Sequence, residues 1–172
     1  MKHFFDHQHK RLIPVYSPVA KRIFNDPRFV KRINGLVRVN HSYNIPYLAG
    51  YSKDGKTVYF DSDYWKHRFL NYYGKKFDTS KFILFHEVGE KAIEDIFHSK
   101  YQIAHHIITH FELKAVDLAG LPSARYSAFL RPMIKKADHE SITRVPWNLD
   151  LKPYQDEKDL KILRKLLDKE NK

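Results

Sequence analysis

The apolar positions of this chain change their period along its length, and each change marks an element. Residues 21–34 carry a short helical pattern interrupted at Asp26-Pro27, where Asp26 can cap a helix that starts at Pro27. Residues 36–61 alternate like β structure. Leu36-Val37-Arg38-Val39 reads as a short strand. Ile45 to Tyr51 and Lys56 to Asp61 flank Ser52-Lys53-Asp54-Gly55, a hairpin signal. Residues 62–78 are mixed aromatic and polar, with a break at Gly74. The 3.6-residue period then returns for about 80–98, after the capping types Asp78-Thr79-Ser80, and again for about 100–119. Gly120 and Pro122 end that second helix. Residues 121–153 hold Pro122, Pro132, Pro146 and Pro153. They predict one short helix near 124–137 and an extended stretch at Val145-Pro146-Trp147. Leucines at 160, 163, 166 and 167 make Asp156 to Asp168 an amphipathic C-terminal helix.

The predicted fold class is therefore α+β. It comprises an irregular arm over 1–20, a small antiparallel sheet or hairpin within 36–61, an antiparallel helix pair over 80–119, and a proline-containing segment with a C-terminal helix over 121–172. No repeat or low-complexity linker divides the 172 residues, so one domain is expected. Eleven tyrosines and twelve phenylalanines predict a core of large aromatic side chains.

The helix pair carries the chemistry. On the first helix Ile83, His86, Glu90, Ile93 and Phe97 share one face, with Gly89 on the same side. On the second, Tyr101, Ala104, His105, Ile108 and Glu112 share a face that continues through Ala115, Val116 and Ala119. Each apolar stripe thus carries a histidine and a carboxylate inward, and an unpaired buried carboxylate costs several kcal/mol. A short connection makes the helices antiparallel neighbours, so the four groups should converge. The chain has no cysteine, so a metal there must take nitrogen and oxygen ligands, which suit zinc, iron or manganese. His86, Glu90, His105 and Glu112 are the candidate ligands. A buried His–Glu hydrogen-bond network without metal, or a two-metal carboxylate site, would use the same residues. Weaker candidates are His106 with His110, which are expected at the rim, Asp138-His139-Glu140, and the N-terminal His3, His7 and His9.

His86-Glu87-Val88-Gly89-Glu90 resembles the H-E-x-x-H motif of zincin metallopeptidases, with glutamate in place of the last histidine. The resemblance, which covers roughly residues 45–119, implies zinc held by His86 and Glu90. His105 or Glu112 would be the third ligand and Glu87 the general base acting on a water. It also implies a β-sheet before the motif helix, whose edge strand lines a cleft for a peptide or protein substrate. The departure at Glu90 changes the ligand charge. In size and order the chain is similar to small zincins that act on phage repressors. It also resembles small phage and bacterial proteins at Tyr101 to His105 and at Asn148 to Tyr154, which implies no activity.

The net charge of +11, from 31 Lys and Arg against 20 Asp and Glu, adds a second reading. It suits nucleic acid, acidic proteins or anionic lipid, although no nucleic-acid motif accompanies it. A non-catalytic, metal-stabilised basic module that binds a protein or nucleic acid is thus the alternative to a hydrolase. No apolar run approaches the ~20 residues of a membrane span, and the N-terminus has no signal-peptide core, so a cytoplasmic protein is expected.

Overall fold

The computed structural model describes residues 18–137 and 145–152. The N-terminal histidines, Asp138-His139-Glu140 and the C-terminal amphipathic segment lie outside them. Helix α1 spans Pro18–Phe24, so the last residues assigned to an irregular arm are helical, and α2 spans Pro27–Ile33. The junction works as its residues suggest. Asp26 accepts a hydrogen bond from the Arg28 backbone N–H at 2.8 Å, and Pro27 occupies a first-turn position that has no use for an N–H.

Three strands follow, β1 (Arg38–Tyr43), β2 (Ala49–Tyr51) and β3 (Thr57–Asp61), in the order β1-β3-β2. The β2–β3 hairpin is the one expected. Its turn is closed by the Gly55 N–H on Ser52 O at 2.7 Å and the Ser52 N–H on Thr57 O at 2.8 Å, with Gly55 at φ 65°. The sheet is mixed, however, and not antiparallel: β1 pairs with β3 in parallel. The physical reason is the segment from Asn44 to Leu48, which carries the chain from one side of β3 to the other. Asp61 pins that crossing, accepting from the Ile45 N–H at 3.3 Å and donating its own N–H to Leu48 O at 3.0 Å. The first strand also begins at Arg38, later than expected, and Leu36 is fully exposed.

Residues 62–78 form helix α3 (Ser62–His67) and a second hairpin, β4 (Phe69–Tyr72) with β5 (Lys75–Asp78). Its two-residue turn, Tyr73-Gly74, has positive φ at both positions, 45° and 75°. That is the twist-matched turn in which asparagine or aspartate usually precedes glycine, so a tyrosine there hides the signal.

Helix α4 spans Ser80–Phe97, α5 Tyr101–Leu118 and α6 Ser123–Ala137. Thr79 is the N-cap of α4, and Asp78 before it accepts from the Ser80 N–H at 3.1 Å and the Ser80 hydroxyl at 2.6 Å. His98 at φ 52° turns the chain between α4 and α5, and Gly120 at φ 85° ends α5. No helix among the described residues is long and apolar enough to cross a membrane.

Two apolar clusters flank the middle of the helix pair. Leu48, Val58, Phe60, Tyr64, Phe77, Ile83, Val116, Tyr126 and Leu130 join the sheet and α6 to one end of it. Ile23, Phe29, Ala92, Ile93, Ala104, Ile107 and Ile108 join α1 and α2 to the other. Tyr51, Tyr64, Tyr126, Phe29 and Phe60 are among the largest fully buried side chains, so the core is aromatic as its composition suggests. Near the chain's end, Leu149 is buried against β2. The Lys53 N–H donates to Asn148 O at 2.8 Å and the Asp150 N–H to Tyr51 O at 3.0 Å. The stretch expected to be extended at Val145-Pro146-Trp147 runs into a turn at Trp147, closed by the Leu149 N–H on Pro146 O at 3.1 Å.

Candidate metal centre

Along α4 the charged pair His86 and Glu90 falls between Ile83, in one cluster, and Ile93, in the other. Along α5 Glu112 falls between Ile108, in the second cluster, and Val116, in the first, and His105 lies one residue after Ala104 of the second. The helices run antiparallel, since His86 meets Glu112 and Glu90 meets His105. Gly89 sits at their crossing. A Cβ placed there would lie 2.8 Å from Cγ1 of Ile108 and closer still to its Cδ1, so only glycine admits this approach.

Three of the four expected ligands present one atom each to a common point. His86 Nε2 is 3.0 Å from His105 Nδ1 and 3.3 Å from Glu90 Oε2, and His105 Nδ1 is 2.7 Å from Glu90 Oε2. It is the one such group among the described residues. Two imidazole nitrogens and a carboxylate oxygen facing one another is unusual for hydrogen bonding alone, because few protons can be shared within the triangle. The spacing suits the ligands of one ion, whose bonds run at ~2.0–2.2 Å. His86 and Glu90 are buried, and His105 is partly exposed, which leaves the group open on its side.

Glu112 is brought to the centre but stands elsewhere in it. Its Oε2 lies 2.7 Å from His86 Nδ1, on the far side of the ring from the triangle. It therefore orients His86 and does not share the common point. Its Oε1 accepts a hydrogen bond from Tyr126 of α6, a residue the sequence did not single out. The available signal was indirect: a tyrosine on the apolar face of α6, four residues before Leu130, needs a partner for its hydroxyl once buried.

Glu87 lies on the flank of α4, partly covered, and makes no hydrogen bond or ion pair with a described residue. Burial raises its carboxyl to about 8, and the charges of Glu90 and Glu112 push the same way. Burial also tends to raise Glu90, but the hydrogen bonds from His105 and His86 prevail and hold it at about 2. For His86, burial works against the charged ring, yet Glu112 and Glu90 overturn this and keep it well above its ordinary value in the metal-free protein. Tyr126 is raised by burial and by the Glu112 carboxylate.

One group of two histidines and a carboxylate that could hold an ion therefore forms among the described residues. His106 and His110 pack edge to face with ring centroids 4.7 Å apart on a neighbouring face. His106 is buried there and not at the rim, because α5 is covered over a wider arc than one stripe. Comparison of the chain with protein-family models, with curated proteins and with solved structures found no match in any of the three.

Proposed function

We propose that this chain is a zincin-like, metal-dependent hydrolase of peptide or amide bonds, with His86, Glu90 and His105 as the metal ligands. The observation that carries the reading is the triangle of three donor atoms, 2.7–3.3 Å apart, contributed by two antiparallel helices. Two histidines and a glutamate are a ligand set that catalytic zinc sites use, with a further position left for water or substrate. Iron and manganese accept the same donors. When bound, the ion supplies Lewis-acid activation of water and of a substrate carbonyl. Glu112 holds the His86 ring in place. Glu87 takes the proton of the attacking water and returns it to the leaving amine.

Glu87→Gln separates the roles. The variant keeps the metal and loses turnover of a fluorogenic peptide library by at least a hundredfold. Full activity in Glu87→Gln removes Glu87 as the base.

One observation favours the second reading, a non-catalytic basic module. Around β4 and β5, Arg68 lies over Trp65 and Phe69 at 4.0 and 4.3 Å, and Lys76 lies over Phe69 at 4.1 Å. Tyr73, at the tip of the same hairpin, is almost fully exposed. Nucleic-acid or acidic-protein binding through this face would weaken steeply with salt and would survive Glu87→Gln.

A further inference from the structure

Glu112 is a buried carboxylate with both oxygens engaged. His86 Nδ1 meets Oε2 at 2.7 Å and the Tyr126 hydroxyl meets Oε1. An ionised carboxylate can only accept, so the direction of both bonds is fixed: Tyr126 donates its O–H and His86 donates from Nδ1. In the neutral ring that a metal would need, a proton on Nδ1 leaves the lone pair on Nε2, the atom that faces Glu90 and His105. Tyr126 is fully buried, and no other described residue donates to Oε1.

We infer that Tyr126 is a positioning residue of the metal centre, acting through Glu112 to fix the tautomer and orientation of His86. Without its hydroxyl, Oε1 is a buried acceptor with no donor. Glu112 then turns to share its oxygens differently, which loosens its hold on Nδ1. The inference rests on the metal-binding half of the proposed reading and not on hydrolysis.

A plain structural role is the competing account, because the Tyr126 ring also packs in the core, edge-on to Phe82 at 5.7 Å. Tyr64 supplies the control. It belongs to the same cluster and is as deeply buried, but its hydroxyl pairs with Thr79 Oγ1 at 2.9 Å and not with Glu112. Phenylalanine keeps the ring at either position and removes only the hydroxyl.

The test is a competition titration of zinc against a chromophoric chelator, at one pH, using the full chain. Tyr126→Phe should weaken zinc binding tenfold or more, while Tyr64→Phe stays within about twofold of wild type. Equal affinity in Tyr126→Phe overturns the inference, and so does an equal loss in Tyr64→Phe. A wild-type chain that binds no zinc overturns both the inference and the metal site. Zinc binding without hydrolysis, with the Tyr126→Phe loss intact, supports the inference and sinks only the hydrolase. If Tyr126→Phe does not fold, proton NMR of the zinc-loaded wild type decides. A Tyr126 hydroxyl proton held far downfield and protected from exchange by Glu112 supports the inference, and an unshifted, freely exchanging one overturns it.

Discussion

Replacing Gly89 by alanine sets two known effects against each other at the helix crossing. In an exposed helix the change would stabilise by about 1 kcal/mol, because glycine has the greater backbone entropy to lose. Here the new Cβ would stand 2.8 Å from Cγ1 of Ile108 and closer to Cδ1. Ile108 is fully buried and cannot swing into solvent. Overpacking of this kind costs about 1–3 kcal/mol. The expected net effect of Gly89→Ala is thus a loss of up to about 2 kcal/mol, with the propensity gain already included. Ile108→Val removes Cδ1 and alone should cost about 0.5–1.5 kcal/mol. The double variant relieves the nearer of the two contacts and leaves Cγ1 at 2.8 Å, so it should be more stable than the sum of the two single changes implies by part of the overpacking cost, roughly 0.5–1 kcal/mol. Urea denaturation of the four proteins measures this coupling. A zinc titration of the same set measures the functional side, since spreading α4 from α5 draws His86 and Glu90 away from His105. If Gly89→Ala is about 1 kcal/mol more stable than wild type, and the double variant is additive, the close approach does not set the geometry of the centre.

Two further outcomes follow from groups around the centre. Burial and the nearby Glu90 raise the Glu94 carboxyl to about 7 from an ordinary 4.5, so its folded-state pKa lies above its unfolded one. Its protonated form adds stability in full below about pH 4.5, and that contribution is lost as pH rises through about 7. Glu94→Gln should therefore be about 1–2 kcal/mol more stable than wild type at pH 8.5 in chelator and show little gain near pH 4; parallel pH profiles would contradict this. Zinc at a hundred times its dissociation constant should stabilise the wild type by about 2.7 kcal/mol, a rise in Tm of roughly 5–10 °C. His105→Ala should lose most of that rise, and an undiminished rise would exclude His105 as a ligand.

The helices were legible because their information is local. Periodicity and end residues place α4, α5 and α6 to within a residue or two, and Asp26-Pro27 marks the α1–α2 junction and Asp54-Gly55 the β2–β3 turn directly. The other misses are non-local or disguised. Tyr73 conceals a tight hairpin turn, and the pairing of β1 with β3 depends on where a five-residue crossing leads, which no periodic pattern encodes. The centre divides the same way. The stripes on α4 and α5 already place a histidine and a glutamate from each helix at one crossing, because burying such groups obliges them to meet partners. The sequence cannot rank the four, since ranking depends on distances across the helix pair. Only the tertiary structure shows that His86, Glu90 and His105 share a point, that Glu112 stands behind the His86 ring, and that Tyr126 arrives from a third helix to hold it. A helix face determines which side chains are buried together, and the packing of helix on helix decides which of their atoms touch.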